Sequence, residues 1–153
     1  MPTERIIKFV PPLWLFLFLF LALLAHYQLP ATRIFEFSSP VASTLCVIIG
    51  FALTLRASNI FAIEKTEILP NSPTNRVLVT RGPFRISRNP MYLGLIFLLL
   101  GVAFYFGTLP FFLATIAQFS ILNFIFIPFE EEKMARQFGE AYAAYKHTVR
   151  RWI

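Results

Sequence analysis

Four long apolar stretches alternate with short polar segments along the chain. They cover residues 11–29, 41–62, 90–106 and 109–127. Each is close to the roughly 20 residues that a helix needs to cross a bilayer. Pro11, Pro12 and Pro90 suit helix starts, and Pro128 is expected to end the fourth stretch. The pattern predicts an all-α integral membrane protein with four transmembrane helices.

The pattern changes after the fourth stretch. Apolar residues now recur every three or four positions, which places them along one side of a helix. They are Met134, Phe138, Tyr142, Tyr145 and Val149. We expect an amphipathic helix over residues 129–148 that lies on the cytoplasmic face of the membrane and packs against the polar loop 64–94. Residues 1–153 are expected to form one domain.

Composition agrees with a membrane protein, and the placement of charge predicts its orientation. The chain is 57% hydrophobic and only 14% charged, whereas soluble domains carry about 25% charged residues. Every Lys and Arg except Arg33 lies in residues 1–8, in residues 56–88 or in the tail. Four spans place these regions on one side, which the positive-inside rule makes cytoplasmic. Both termini and the loop should therefore be cytoplasmic, and membrane lipids explain the basic charge better than nucleic acid does.

The basic, turn-rich segment 81–94 is the first half of a candidate site, and the glutamates at 130–132 are the second. The third and fourth spans form a hairpin, so the start of one lies beside the end of the other. The residues expected to approach the glutamates are Arg85, Arg88, Asn89 and Tyr92. Such a cluster could hold a zwitterionic ligand, or its Arg and Glu side chains could simply pair at the level of the headgroups.

Other chemistries fit the sequence poorly. His26 and His147 lie on distant segments, so we expect no metal site built on histidine. No Ser-His pair has the spacing of a nucleophilic site, and no phosphate-binding glycine loop is present. Cys46 is the only cysteine, which excludes an internal disulfide bond.

Two motifs, in order, resemble those of a known family. LVTRGPF at 78–84 followed by RNPMYLG at 88–94 is similar to the cofactor loop of isoprenylcysteine carboxyl methyltransferases and their bacterial relatives. EEEKMARQFGEAYAAYK at 130–146 is similar to the Glu-Glu and Phe-Gly-x-x-Tyr-x-x-Tyr signature of the same family. The superfamily also includes phospholipid N-methyltransferases and thiol S-methyltransferases. The resemblance covers residues 64–153.

The resemblance implies an S-adenosylmethionine-dependent methyltransferase that acts on a lipophilic or lipidated substrate at the membrane. The cofactor-binding residues that it implies are Arg76, Val77, Leu78, Val79, Phe84, Asn89, Pro90, Met91, Tyr92, Glu130 and Glu131. The residues that we expect to act in catalysis are Arg88, Asn89, Tyr92 and Glu131.

Two departures from the family pattern bear on the reaction. Asn89 stands where the family commonly has histidine, and an amide cannot shuttle protons. The arginine that holds the substrate carboxylate upstream of the glutamates has no counterpart in residues 122–128, which leaves Arg85, Arg88 or Asn123 as substitutes. A phospholipid amine or a thiol therefore stays an alternative acceptor. A non-catalytic membrane protein and a membrane reductase that binds NADPH also stay open, and the oligomeric state is undecided.

Overall fold

The protein is a bundle of helices. A computed structural model describes residues 10–29, 37–65 and 77–153. The helices within these ranges are α1 (Pro11–Gln28), α2 (Pro40–Ile63), α3 (Pro90–Phe106), α4 (Leu109–Ile121) and α5 (Ile127–Thr148), with a short 3₁₀ turn at Gly82–Arg85. The all-α prediction is confirmed for these ranges. Arg76 and the middle of the predicted loop, residues 66–76, lie outside the described residues.

Several helices have the length and composition of membrane spans. These are α1, α2 and the continuous helical run Leu109–Thr148, whereas α3 is equally apolar but has only 17 residues. Large apolar side chains point outward from the bundle, among them Phe16 at 62% and Phe124 at 72% exposure. Soluble proteins rarely expose apolar surface on this scale. These are the helices of an integral membrane protein, with three or four spans.

The helices pack in the order α2, α3, α4, α1. The contact between α2 and α3 is the most extensive, and α4 packs against both α3 and α1. Glycines let α2 and α3 approach closely: a Cβ built on Gly94 would lie 2.2 Å from Thr54 Oγ1 and 2.8 Å from the Gly50 carbonyl oxygen. Small residues allow such contacts between membrane helices. The start of α3 is thereby held against the second half of α2.

Pro128 does not end the fourth helix, contrary to the prediction. A π-helical segment, Leu122–Phe126, links α4 to α5, and Pro128 lies in the first turn of α5. The wider π turn accommodates the missing N–H and the bulky ring of proline, which would disrupt a regular α-helix at this point. The chain therefore passes from the bilayer into the tail without a loop.

Gly139 breaks α5 in the middle. Its backbone adopts φ 50° and ψ −121°, which only glycine adopts without strain. Beyond this break, Tyr142 and Tyr145 are buried, while Met134 and Phe138 before it are partly buried. The predicted apolar stripe thus faces protein on both sides of a bend and does not follow one straight helix.

We expect Gly94→Ala to destabilise the bundle. The added methyl group would overlap atoms of α2, and overpacking of this kind typically costs about 1–3 kcal/mol. The melting temperature of the purified protein in detergent should fall measurably. Combining the change with Thr54→Ala should restore part of the loss, because the nearest overlapping atom is removed. Wild-type melting of Gly94→Ala alone would contradict the packing described.

Candidate functional site

A cavity of about 250 Å³ lies at the end of the bundle where α3 begins. The start of α1, the second half of α2, the loop before α3 and both halves of α5 surround it. Its lining residues are Val10, Pro11, Pro12, Thr54, Phe61, Val77, Leu78, Val79, Phe84, Arg88, Asn89, Pro90, Met91, Tyr92, Leu95, Glu130, Glu131, Lys133, Met134, Tyr142 and Tyr145. Most of these are apolar, and the charged groups come from the loop and from α5.

One wall of the cavity forms where α5 is hydrogen-bonded to the loop before α3. The Tyr145 hydroxyl donates a hydrogen bond of 2.6 Å to the carbonyl oxygen of Phe84. Phe84 is itself buried against Ala57 and Val79, and its ring lies 5.2 Å from that of Phe61 on α2. The loop is therefore fixed on one side by α2 and on the other by α5.

Two buried tyrosines supply hydrogen-bond donors to this wall. Burial raises the pKa of Tyr142 to about 12, with a further contribution from the negative charge of Glu131. Burial likewise raises the pKa of Tyr145 to about 12. Both phenols therefore stay protonated at neutral pH. Neither is suited to act as a base.

Glu130 faces the cavity and is bonded to Tyr92. The Tyr92 hydroxyl donates to Glu130 Oε1 over 2.5 Å. Burial raises the pKa of Glu130 to about 7, although the bond from Tyr92 and the charge of Lys133 both lower it. An ordinary glutamate titrates near 4.3. Near neutral pH this carboxyl group can therefore gain or lose a proton, and a cation placed beside it would favour the charged form.

Glu131, the next residue, is held by two arginines. Arg88 Nη2 lies 2.9 Å from Glu131 Oε1. Arg151 donates to both oxygens of Glu131, from Nε over 3.2 Å and from Nη2 over 2.7 Å. The side chains of Arg88 and Glu131 are only 10% and 14% exposed. The charge of this glutamate is thus fully balanced by protein groups.

Arg88 retains unused donors. Its Nε and Nη1 atoms are buried and have no hydrogen-bond partner among the described residues. Buried polar groups in proteins almost always have one, and a charged donor without one is costly. Because Arg88 lines the cavity, these two N–H groups can meet an anionic group of a ligand.

Asn89 makes a structural contact. Its Nδ2 donates to the carbonyl oxygen of Arg151 over 2.9 Å, and its backbone N–H donates to Ser87 Oγ over 3.1 Å. The amide borders the cavity, and one of its two N–H groups is used by the tail. In this geometry Asn89 fastens the end of the chain to the loop.

All the predicted site residues that the structure describes border this one cavity. They are Val77, Leu78, Val79, Phe84, Arg88, Asn89, Pro90, Met91, Tyr92, Glu130 and Glu131. Their roles toward a ligand remain predictions. Two residues expected nearby are not in the lining: Arg85 is exposed, and Glu132 pairs with Arg136 on the surface of α5.

Several residues of the site were not identified from the sequence. Thr54 and Phe61 come from α2, where nothing but hydrophobicity marks them. Arg151 lies in a basic tail without a motif. Asn123 was predicted only as a substitute for the missing substrate arginine; it accepts hydrogen bonds from Arg151 Nη1 and from Trp152 Nε1, at 3.3 and 3.1 Å. Only the folded chain brings Thr54 and Phe61 to the cavity wall and Arg151 against Glu131, which is part of that wall.

Comparison with known proteins identifies the family. Residues 39–141 match the family model described as phospholipid methyltransferase. The matched range begins just before α2 and ends within α5, so it includes the loop, the start of α3 and both Glu130 and Glu131. Searches among curated proteins and among solved structures found no match. The resemblance to membrane methyltransferases seen in the two motifs is confirmed, and the chain belongs to the phospholipid methyltransferase family.

Proposed function

We propose that the protein transfers a methyl group from S-adenosylmethionine to a lipophilic acceptor at the membrane, as isoprenylcysteine carboxyl methyltransferases do. The observation that carries this proposal is one cavity that combines a mainly apolar lining with a charged cluster at the start of α3. Ligand sites commonly combine an apolar surface with a few convergent polar groups. The apolar part suits a lipid-like acceptor, and the charged part suits a zwitterionic methyl donor. Membership of a methyltransferase family supports the same reaction.

The residues present fit S-adenosylmethionine, which carries a carboxylate, an ammonium group and a sulfonium. The buried Nε and Nη1 of Arg88, which have no partner among the described residues, can donate to a carboxylate. Glu130 matches the ammonium group, and the ring faces of Tyr92 and Tyr142 attract a sulfonium cation. When bound, this cofactor supplies an electrophilic methyl group.

The contribution of the protein would be placement and exclusion of water. Tyr92 fixes the Glu130 carboxyl group by its hydrogen bond. Phe84, Met91 and Leu95 form apolar walls around the reacting region. Holding two reactants in the correct orientation away from water can remove a large part of the barrier to a bimolecular reaction. A nucleophile that is already anionic needs no further acid–base help.

The acceptor can be a carboxylate, an amine or a thiol. Two cations in the cavity lining, Arg88 and Lys133, could hold a carboxylate. A phospholipid amine is favoured by the family description.

We further propose that the cavity end of the bundle faces the cytoplasm and contacts membrane lipids there. Three arginines of the described loop and tail, Arg81, Arg85 and Arg150, lie at this end and are exposed. Such cations favour the cytoplasmic side and its anionic lipids. A polar donor would then enter from the cytoplasm and a lipophilic acceptor from the bilayer.

Glu130→Gln should weaken binding of S-adenosylhomocysteine, which carries the same ammonium group. Loss of one charge-assisted hydrogen bond corresponds to about tenfold or more in dissociation constant. Isothermal titration calorimetry in detergent measures this directly. Glu132→Gln removes the same charge from an exposed position and should bind as wild type does. Equal affinity in the Glu130 variant would remove that residue from the site, and no binding by the wild-type protein would leave a non-catalytic role.

Binding should also depend on pH. The pKa of Glu130 in the free protein is about 7, so affinity for a cationic ligand should rise between pH 6 and 7.5 as the carboxyl group ionises. Stability should change in the opposite direction. Between about pH 4.5 and 7 the folded protein holds a proton that the unfolded chain has lost, so its free energy of unfolding falls as pH rises. Calorimetry and thermal melting at each pH test both trends, and Glu130→Gln should reduce both.

Labelled methyl transfer would identify the acceptor. The purified enzyme, supplied with methyl-labelled S-adenosylmethionine, is offered a prenylcysteine, phosphatidylethanolamine or an alkyl thiol in matched vesicles. We expect label in one of the three and none with Glu130→Gln. If the wild-type protein binds the cofactor but labels none of them, the acceptor belongs to another class.

A further inference from the structure

The last residues of the chain run along the loop that precedes α3. α5 ends at Thr148, and Val149 is extended (φ −123°, ψ 131°). The Arg88 N–H then donates to the carbonyl oxygen of Arg150 over 3.0 Å. The carbonyl oxygen of Arg151 accepts from Asn89 Nδ2 at 2.9 Å and from Ser87 Oγ at 3.3 Å. We call residues 150–152 the strap.

The side chains of the strap reach the segment that joins α4 to α5. Trp152 Nε1 and Arg151 Nη1 both donate to Asn123 Oδ1. The Trp152 ring also lies 5.1 Å from that of Phe119 on α4. The strap therefore joins the loop to two helices. Its side chains do not line the cavity, so any effect on a ligand must pass through other residues.

The side chain through which it can act is Glu131. Arg151 occupies both carboxylate oxygens in a bidentate arrangement. Glu131 is left with one contact to Arg88, through Nη2. Without Arg151, Glu131 would be free to pair with Arg88 bidentately, the geometry that an arginine and a carboxylate prefer. That pairing would use Nη2 together with either Nε or Nη1, so it would occupy one of the two Arg88 nitrogens that now have no partner among the described residues.

We propose that Arg151 is a positioning residue: by holding Glu131, it prevents Glu131 from occupying Arg88 Nε or Nη1, so that these donors stay available for the carboxylate of the methyl donor. The identity of the ligand rests on the proposed function. The attachment of the strap to the loop and to Glu131 does not depend on that function, because it follows from the hydrogen bonds described above. The proposal makes a selective prediction, because a ligand without a carboxylate does not need those donors.

Arg151→Gln should weaken S-adenosylhomocysteine binding by about tenfold, the order expected for one charge-assisted contact. Binding of 5′-methylthioadenosine, which lacks both the carboxylate and the ammonium group, should stay within about twofold. If Arg151 had only a structural role, its loss would weaken the binding of both ligands to the same extent. Arg150→Gln is the matched control and should leave both affinities unchanged, since the Arg150 side chain is exposed and the hydrogen bond to Arg88 is accepted by its backbone carbonyl. Arg151→Lys keeps the charge without the bidentate geometry, so its affinity for S-adenosylhomocysteine should lie between those of the wild type and Arg151→Gln.

If Arg151→Gln loses the same affinity for both ligands, or loses none for either, the positioning role is wrong. A wild-type protein that binds neither ligand would overturn the proposed function and the ligand part of this inference together. Hydrogen exchange then tests the strap separately. The amide of Arg88 should exchange faster in Arg151→Gln than in wild type or Arg150→Gln, and unchanged exchange would show that the strap does not fasten the loop. If Arg151→Gln does not fold, Arg151→Lys provides both comparisons.

Discussion

The arrangement of the site depends on one carboxylate shared by two arginines. Glu131 on α5 meets Arg88 from the loop before α3 and Arg151 from the end of the chain, with N–O distances of 2.9 and 2.7 Å. Removing one member of such a buried cluster leaves an uncompensated charge, which costs far more than an exposed ion pair contributes. These ion pairs hold the loop, α5 and the end of the chain together at the charged wall of the cavity.

This pairing gives two adjacent glutamates different properties. Neighbouring helical residues point in directions about 100° apart, so Glu131 meets the arginines while Glu130 meets Tyr92 and the cavity. The charge of Glu131 is balanced within the protein. Burial leaves Glu130 with a pKa of about 7. Glu131 therefore stabilises the cavity wall, whereas Glu130 can bind a cation.

The helices and the approach of Tyr92 to Glu130 could be predicted from the sequence, because the strongest sequence signals are local. Uninterrupted apolar runs locate the helices, and a short hairpin between two of them brings Tyr92 beside Glu130. The contacts of Arg151 could not be predicted, since they join segments that are 62 and 64 residues apart in the chain and carry no periodic pattern. Pro128 was misread because its effect on a helix depends on the π turn before it, which only the packing of α4 reveals. The hydrogen bond from the Asn89 amide could not be predicted either, because its acceptor, the carbonyl oxygen of Arg151, lies in the same tail.

Two energetically unfavourable features of the cavity wall have a common physical origin. Burial raises the pKa of Glu130 to about 7, so its ionised form is disfavoured. Arg88 has buried N–H groups without partners among the described residues. Each feature costs stability in the free protein, and each would be relieved by a ligand with a cation and an anion at the corresponding positions. The low polarity that raises the pKa of Glu130 also strengthens its attraction to a cation once it is ionised. Affinity for a zwitterion and reduced stability of the free protein thus have the same origin, which is the enclosure of charged groups by apolar helix ends.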